Sequence, residues 1–176
     1  MVRATGGTSS GKEGGVNLVT DLAWHGAVME LLAQRMNPTC YLEIGIAEFR
    51  TFNRVKPWCQ KAYGVDPNVS GEGIFTMTSD DFARDAIRTI PKIELALIDG
   101  CHEFEQVKRD YNAVVSHSAP NAVICLHDTY PENEGQRDPL FCHDAWKMNR
   151  YLSDLGVAFV TLPCPPGLTI VGGGIL

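Results

Sequence analysis

Short runs of apolar residues alternate along this chain with longer stretches in which apolar positions recur every three or four residues. That alternation predicts strands separated by helices. Strands are predicted over Cys40 to Ala47, Lys61 to Asp66, Ile74 to Met77, Ile93 to Ile98 and Asn121 to Leu126. Helical spacing marks Asn17 to Met36 through Leu18, Leu22, Val28, Leu31, Leu32 and Met36, a stripe that stops at Asn37-Pro38. Further helices are predicted over Arg50 to Cys59 (interrupted by Pro57), from Ser79 to about Ile90, from Glu103 to near Pro120 through Phe104, Val107, Tyr111, Val114 and Val115, and from about Asp144 to Leu155. Two strands, Val157 to Leu162 and Leu168 to Val171, close the chain across the proline-rich link 163–167. Strands buried on both faces read as near-continuous apolar runs. Five of them joined by helices and followed by a hairpin predict an α/β fold: a doubly wound, mostly parallel seven-stranded sheet with a C-terminal antiparallel hairpin and one antiparallel strand near its edge.

Two of the apolar runs empty into polar clusters: Ile93 to Ile98 leads into Asp99-Gly100-Cys101-His102, and Asn121 to Leu126 leads into His127-Asp128-Thr129. In open α/β sheets ligands bind just beyond the strands' carboxyl ends, so two acids and two histidines are predicted to converge on one site. That is the composition of a metal-assisted acid/base centre, and it makes an enzyme the first hypothesis.

Composition narrows the classes. A chain of 176 residues that is 44% hydrophobic predicts a single domain with a full core, with no internal repeat. Fifteen Lys and Arg against 21 Asp and Glu give a net charge of -6, which argues against a nucleic-acid partner. No apolar stretch approaches the roughly 18 residues that span a bilayer, and the N-terminus lacks a signal-peptide core, so a cytoplasmic protein without membrane partners is expected. Six cysteines form no CxxC pair and several lie in apolar runs, so a disulfide framework is not expected. Residues 1–16, with Gly6, Gly7, Gly11, Gly14 and Gly15 among Ser and Thr, are expected to be a flexible arm preceding a domain at 17–176. Gly6 to Lys12 nearly matches a phosphate-binding loop, but Glu13 stands where the magnesium-holding hydroxyl belongs and no strand precedes it.

The ordered set Glu43-Ile44-Gly45, Gly64-Val65-Asp66-Pro67, Ser79-Asp80, Ile98 to His102 and Leu126 to Thr129 resembles the class I S-adenosylmethionine-dependent methyltransferases, whose fold is Rossmann-like. The nearer resemblance is to the small metal-dependent O-methyltransferases of catechol type and macrolide-sugar type. It implies S-adenosylmethionine as cofactor, with Gly45 beneath its amino acid end, Glu43 near the ammonium, Asp66 on the ribose hydroxyls, Ser79 and Asp80 around the adenine and Asp99 as a further cofactor contact. It implies a divalent metal, magnesium or manganese, on Asp99 and Asp128, since hard cations prefer carboxylate oxygens and leave positions for a substrate diol. His127, where the family often has a further acid or amide, would favour a softer ion if it ligates. His102, three residues after Asp99, falls at the family's general base and completes the catalytic pair with Asp99. The implied substrate is a small hydroxylated molecule, a sugar or phenol, and a homo-oligomer is compatible with it.

Other readings stand beside this one. Ser79 and Asp80 also suit a helix N-cap and first-turn acid. The family's first loop carries a second glycine where this chain has Phe49, which is expected to redirect the loop, narrow the pocket or stack on the ligand. A methyltransferase fold kept only for binding follows if Phe49 closes the site. Cys101, His102, His127, Asp128, Cys142 and His143 provide ligand types for a zinc hydrolase, without a zinc signature in their spacing. Trp24, His25 and Trp146 read as core, lid or pocket, and Arg137 and Asp138 as an exposed charged loop able to meet a polar substrate.

Overall fold

The computed structural model describes residues 24–172. The expected arm, the Gly6 to Lys12 segment and positions 17–23 of the expected first helix lie outside the described residues. The chain runs α1 (Trp24–Met36), β1 (Cys40–Ile44), α2 (Arg50–Val55), β2 (Lys61–Val65), β3 (Ile74–Phe75), α3 (Ser79–Asp81), β4 (Ile93–Ile98), α4 (Phe104–Ser116), β5 (Ser118–His127), α5 (Met148–Asp154), β6 (Phe159–Leu162) and β7 (Leu168–Gly172). The seven strands form one sheet in the order β3-β2-β1-β4-β5-β7-β6. All neighbours are parallel except β7, which runs antiparallel to both β5 and β6. The predicted architecture is therefore the observed one. No helix among the described residues is long and apolar enough to cross a membrane.

Alternation along the strands explains the apolar runs. Leu42, Ile98, Ile124 and Leu126 pack on one face with Val107, Tyr111, Met148 and Leu152 of α4 and α5. Tyr41, Leu95, Leu97, Val123 and Cys125 pack on the other with Met29 and Ala33 of α1 and Phe52 and Val55 of α2. Both faces are covered, so the strands are mostly apolar, with Glu43 of β1 and Thr169 of β7 among the few buried polar exceptions.

Several boundaries depart from expectation for local reasons. β1 stops at Ile44 because Gly45 (φ 88°), Ala47 (φ 43°) and Phe49 (φ 61°) all take left-handed backbone conformations that end extended structure. Pro57 closes α2 at Val55 and opens a 3-10 turn, Lys56–Trp58. The chain from β2 to β3 crosses by a loop rather than a helix, and the α3 helix runs on as a π turn, Phe82–Ala86, and a 3-10 turn, Ile87–Thr89. β5 begins before Pro120 instead of after it: its pairing with β4 jumps from Ile93 and Ser118 to Leu95 and Val123, and that bulge accommodates a residue with no N–H to give the ladder.

The chain leaves β1 for β2 on one side and returns to β4 on the other, so the order of the parallel strands reverses between β1 and β4. A crevice at the carboxyl ends of these two strands follows from that topology. Gly45 lets them close on each other: the Asp99 N–H donates to the Ile44 carbonyl at 2.8 Å, and a Cβ on Gly45 would stand 2.2 Å from the Asp99 carbonyl oxygen.

Candidate active site

A cavity of about 490 Å³ opens at this crevice, lined by Gly45, Asp66, Ser79, Asp80, Asp99 and Gln106 among others. Glu43 faces a second recess of about 400 Å³ with His25, Arg50 and Thr51, and Gly45, Ala47 and Asp99 line both. The residues expected around one cofactor therefore surround two connected hollows with Gly45 between them. Gln106, from α4, belongs to this wall without any signal in the sequence.

Asp66 holds the loop that follows β1. Its Oδ2 accepts from the N–H groups of Ile46 (3.1 Å) and Ala47 (3.2 Å), and its Oδ1 from that of Asn68 (2.8 Å). Burial pushes its carboxyl up, but these backbone donors outweigh it and hold the group below the usual carboxylate range. Ser79 is not the helix cap: Thr78 is, its hydroxyl accepting from the Asp81 N–H at 3.1 Å, which leaves Ser79 and Asp80 on the cavity wall. Glu43 is buried and accepts from the Tyr41 hydroxyl at 2.5 Å. Burial lifts its carboxyl to about 8; the Tyr41 bond opposes this and the Asp99 charge adds to it.

Phe49 does not enter either hollow. Its ring packs edge-on against Phe52, with centroids 6.2 Å apart, and lies beside Gly71 on the far side of the loop. The backbone keeps the left-handed conformation that a glycine would take there, while the side chain turns into the α2 packing. Of the three outcomes the sequence left open at Phe49, a narrowed pocket is not what the structure shows.

Beyond β4 and β5 the side chains converge. Asp99, His102 and Asp128 each bring one donor atom within 4.8 Å of the others, the geometry of a metal-binding group. His102 Nε2 lies 3.0 Å from Asp128 Oδ2 and 3.9 Å from Asp99 Oδ1, and its Nδ1 pairs with the Phe141 carbonyl. His127 falls outside that group; its Nδ1 sits between the two carboxylates, 2.9 Å from Asp99 Oδ1 and 3.2 Å from Asp128 Oδ2. Burial alone would lower the His127 pKa, but the two acids raise it to about 10, so the ring is a cation tying them together. Asp128 is pushed up by burial and drawn further down by His127, His102 and the Cys142 thiol, ending below its usual range. Asp128 also takes the left-handed backbone (φ 59°), a conformation that Asp tolerates better than most residues.

A third histidine joins from α1. The His25 ring packs tilted against His127, with centroids 4.1 Å apart and planes 50° apart, and its Nε2 lies 3.8 Å from Asp99 Oδ2 and 3.3 Å from the Thr51 hydroxyl. Burial, then the charge of His127, lowers its pKa to about 4 and keeps it neutral. The helical stripe of α1 carried no hint of this, because the residue's partners are more than twenty positions away. Cys142 donates to Asp128 at 3.4 Å and His143 faces Asp144, while Cys101 is exposed, so the donors of a zinc hydrolase do not assemble into one set. Trp146 stacks under the Arg137 guanidinium at 4.9 Å, and the Trp24 indole donates to the Pro165 carbonyl at 3.2 Å.

The family model of the methyltransferase domain matches residues 23–129, from α1 to the residue after Asp128. The chain belongs to this family. This methyltransferase domain shares its fold with solved O-methyltransferases. It is 14% identical to the enzyme from Bacillus cereus solved with SAH, covering 86% of this chain and 81% of that one at a TM-score of 0.67. It is 13% identical to TomG of Streptomyces achromogenes, involved in tomaymycin synthesis and solved with SAM (86% and 80% covered, TM-score 0.59). MycE of the mycinamycin pathway, solved with Mg, SAH and mycinamycin VI, is 18% identical at a TM-score of 0.60, and this methyltransferase domain spans half of its length. No curated protein sequence matches this methyltransferase domain.

Proposed function

We propose that this protein transfers a methyl group from S-adenosylmethionine to a hydroxyl oxygen of a small molecule such as a phenol or sugar. The observation that carries the reading is the place of Asp99. It lines the 490 Å³ cavity, the recess of Glu43 and a third hollow of about 390 Å³ that holds His102, His127 and Asp128. A cofactor in the first two and an acceptor in the third would meet at that one residue.

In this reading Glu43 faces the cofactor's ammonium, Gly45 admits its amino acid end, Asp66 meets the ribose and Ser79 and Asp80 the adenine ring. The donor set suits a divalent ion: two carboxylates confined to one site call for positive charge, and oxygen donors favour magnesium or manganese. Asp99 and Asp128 would hold it, and the ion would acidify a bound hydroxyl. His127 bridges the two carboxylates through Asp99 Oδ1 and Asp128 Oδ2. His102 takes the hydroxyl proton on Nε2, since the Phe141 carbonyl occupies Nδ1 and fixes the ring. The oxygen then bonds to the methyl carbon as the sulfur–carbon bond breaks, and the thioether product leaves with both electrons of that bond.

Calorimetric titration with S-adenosylhomocysteine, with and without magnesium or manganese, tests the cofactor directly. Turnover with a catechol and a hydroxylated sugar as acceptors then tests the base. His102→Ala should lower turnover by about 10²- to 10⁴-fold while sparing cofactor affinity. Equal loss of both would remove His102 from the proton's path.

A further inference from the structure

The adenine end of the cavity contains a side-chain network that the methyltransferase reading does not need in order to hold a cofactor. Gln106 Nε2 is shared among Ser79 Oγ (3.1 Å), Asp80 Oδ1 (3.2 Å) and Asp110 Oδ1 (2.9 Å). Arg109 Nε donates to the same Asp80 oxygen at 3.2 Å, and Arg109 Nη2 donates to Gln106 Oε1. The direction of the Gln106 amide is thereby fixed. Arginine only donates, so the amide oxygen must face Arg109; carboxylates only accept, so the amide nitrogen must face Asp80 and Asp110. A flipped amide would set an oxygen against two acids. Both donors converge on Oδ1 of Asp80, and Oδ2 is left without a partner among the described residues.

We propose that Gln106 and Arg109 are positioning residues that lock Asp80 as a one-sided acceptor on the cavity wall, and that this lock makes the protein select an adenine ring over a hypoxanthine ring. This rests on the methyltransferase reading of the cavity. Adenine carries an exocyclic amino group that donates to a carboxylate oxygen; hypoxanthine carries a carbonyl oxygen at the same place, which meets a pinned carboxylate as acceptor against acceptor. Polar mismatch of that kind discriminates strongly because a desolvated group is left unpaired. A carboxylate free to rotate away, or to admit a bridging water, loses the discrimination without losing the site.

The test compares the affinities of S-adenosylhomocysteine and S-inosylhomocysteine by calorimetry in the wild-type protein and in two α4 variants. Wild type should prefer the adenosyl compound by at least about tenfold, the scale of one charge-assisted hydrogen bond. Gln106→Ala should reduce that ratio to near unity. Arg109→Ala changes an exposed residue that does not line the cavity, so any effect on the ratio must travel through Asp80 and Gln106. It should narrow the ratio several-fold at unchanged melting temperature, with Arg109→Lys partly restoring it. Equal binding of both compounds by wild type, or variants that weaken both compounds in parallel, would overturn the lock while leaving the methyltransferase reading intact. Failure of wild type to bind S-adenosylhomocysteine at all would overturn both.

Discussion

Around Gly45 the site is made of backbone, whereas around Asp128 it is made of side chains. The first wall is a loop with three left-handed residues, pinned through its N–H groups by one carboxylate, Asp66. The second is a knot of two acids and three histidines drawn from α1, the ends of β4 and β5 and the approach to α4. A backbone wall tolerates almost no change in shape, and the one carboxylate that pins it, Asp66, is part of that shape; a side-chain wall keeps its shape under substitution and changes its chemistry instead. Mutations on the two sides should therefore separate into losses of stability and losses of turnover.

The sharpest break on the backbone side is Gly45→Ala. The added Cβ meets the Asp99 carbonyl at 2.2 Å, at a φ of 88° that L residues rarely adopt. A cost of at least about 4 kcal/mol is expected, read as a collapse of the denaturant midpoint, because strain and overlap fall on the same atom. Asp66→Ala should come next, at about 3 kcal/mol, since three backbone donors lose a charged acceptor. Cofactor affinity should fall with it. Affinity lost at unchanged stability would instead make Asp66 a dedicated ligand group and erase the contrast between the two walls.

Glu43 lies on the boundary between the walls, and its prediction depends on pH. Its folded carboxyl stands near 8 against an ordinary value of 4.5, so between those values the folded state binds a proton that the unfolded state has released. Stability must then fall as pH rises through that window and level off above it. Glu43→Gln removes the titration. Relative to its difference from wild type at pH 5, the variant should gain about 3 kcal/mol of stability by pH 8, within the bound of about 1.4 kcal/mol per unit of pKa difference. Parallel stability curves for the two proteins would show that Glu43 stays ionised, held by its surroundings rather than raised by burial.

The sheet was legible in the sequence because both of its faces are covered: apolar runs on β4 and β5 left no other reading, and the polar residues that follow them had to sit at strand ends. Asp99, His102, His127 and Asp128 were found together for that reason. His25 was not, since a histidine on an amphipathic helix reads as packing until the helix is docked. Gln106 was hidden in the same way, as one polar residue among several on α4. The role of His127 was legible only in part. The sequence offered it as a ligand, and what it does among the described residues depends on distances to two carboxylates that no spacing rule supplies. Phe49 shows the opposite limit: the sequence marked it as a departure from a glycine position, but neither its left-handed backbone nor the direction of its ring could be read there, because the ring is placed by Phe52 and the 66–73 loop.

The smallest effects come from the same loop and should have opposite signs. Phe49 and Ala47 both hold left-handed backbone, at φ 61° and 43°, and each stores about 1 kcal/mol that a glycine would release. Glycine also adds freedom to the unfolded chain, which takes back about half to all of that gain. At Phe49 the balance is tipped by packing, for the ring fills space between Phe52 and Gly71. Phe49→Gly should therefore destabilise the protein, by about 1 to 2 kcal/mol for a half-buried aromatic. Ala47 gives up only a methyl group, and Ala47→Gly should be neutral or stabilising by up to about 0.5 kcal/mol. Because Phe49 lines neither hollow, its loss should leave cofactor affinity unchanged at temperatures where the variant is folded. A gain in affinity on Phe49→Gly would mean that the ring turns into the cavity in solution, and the backbone wall would then owe part of its shape to a side chain after all.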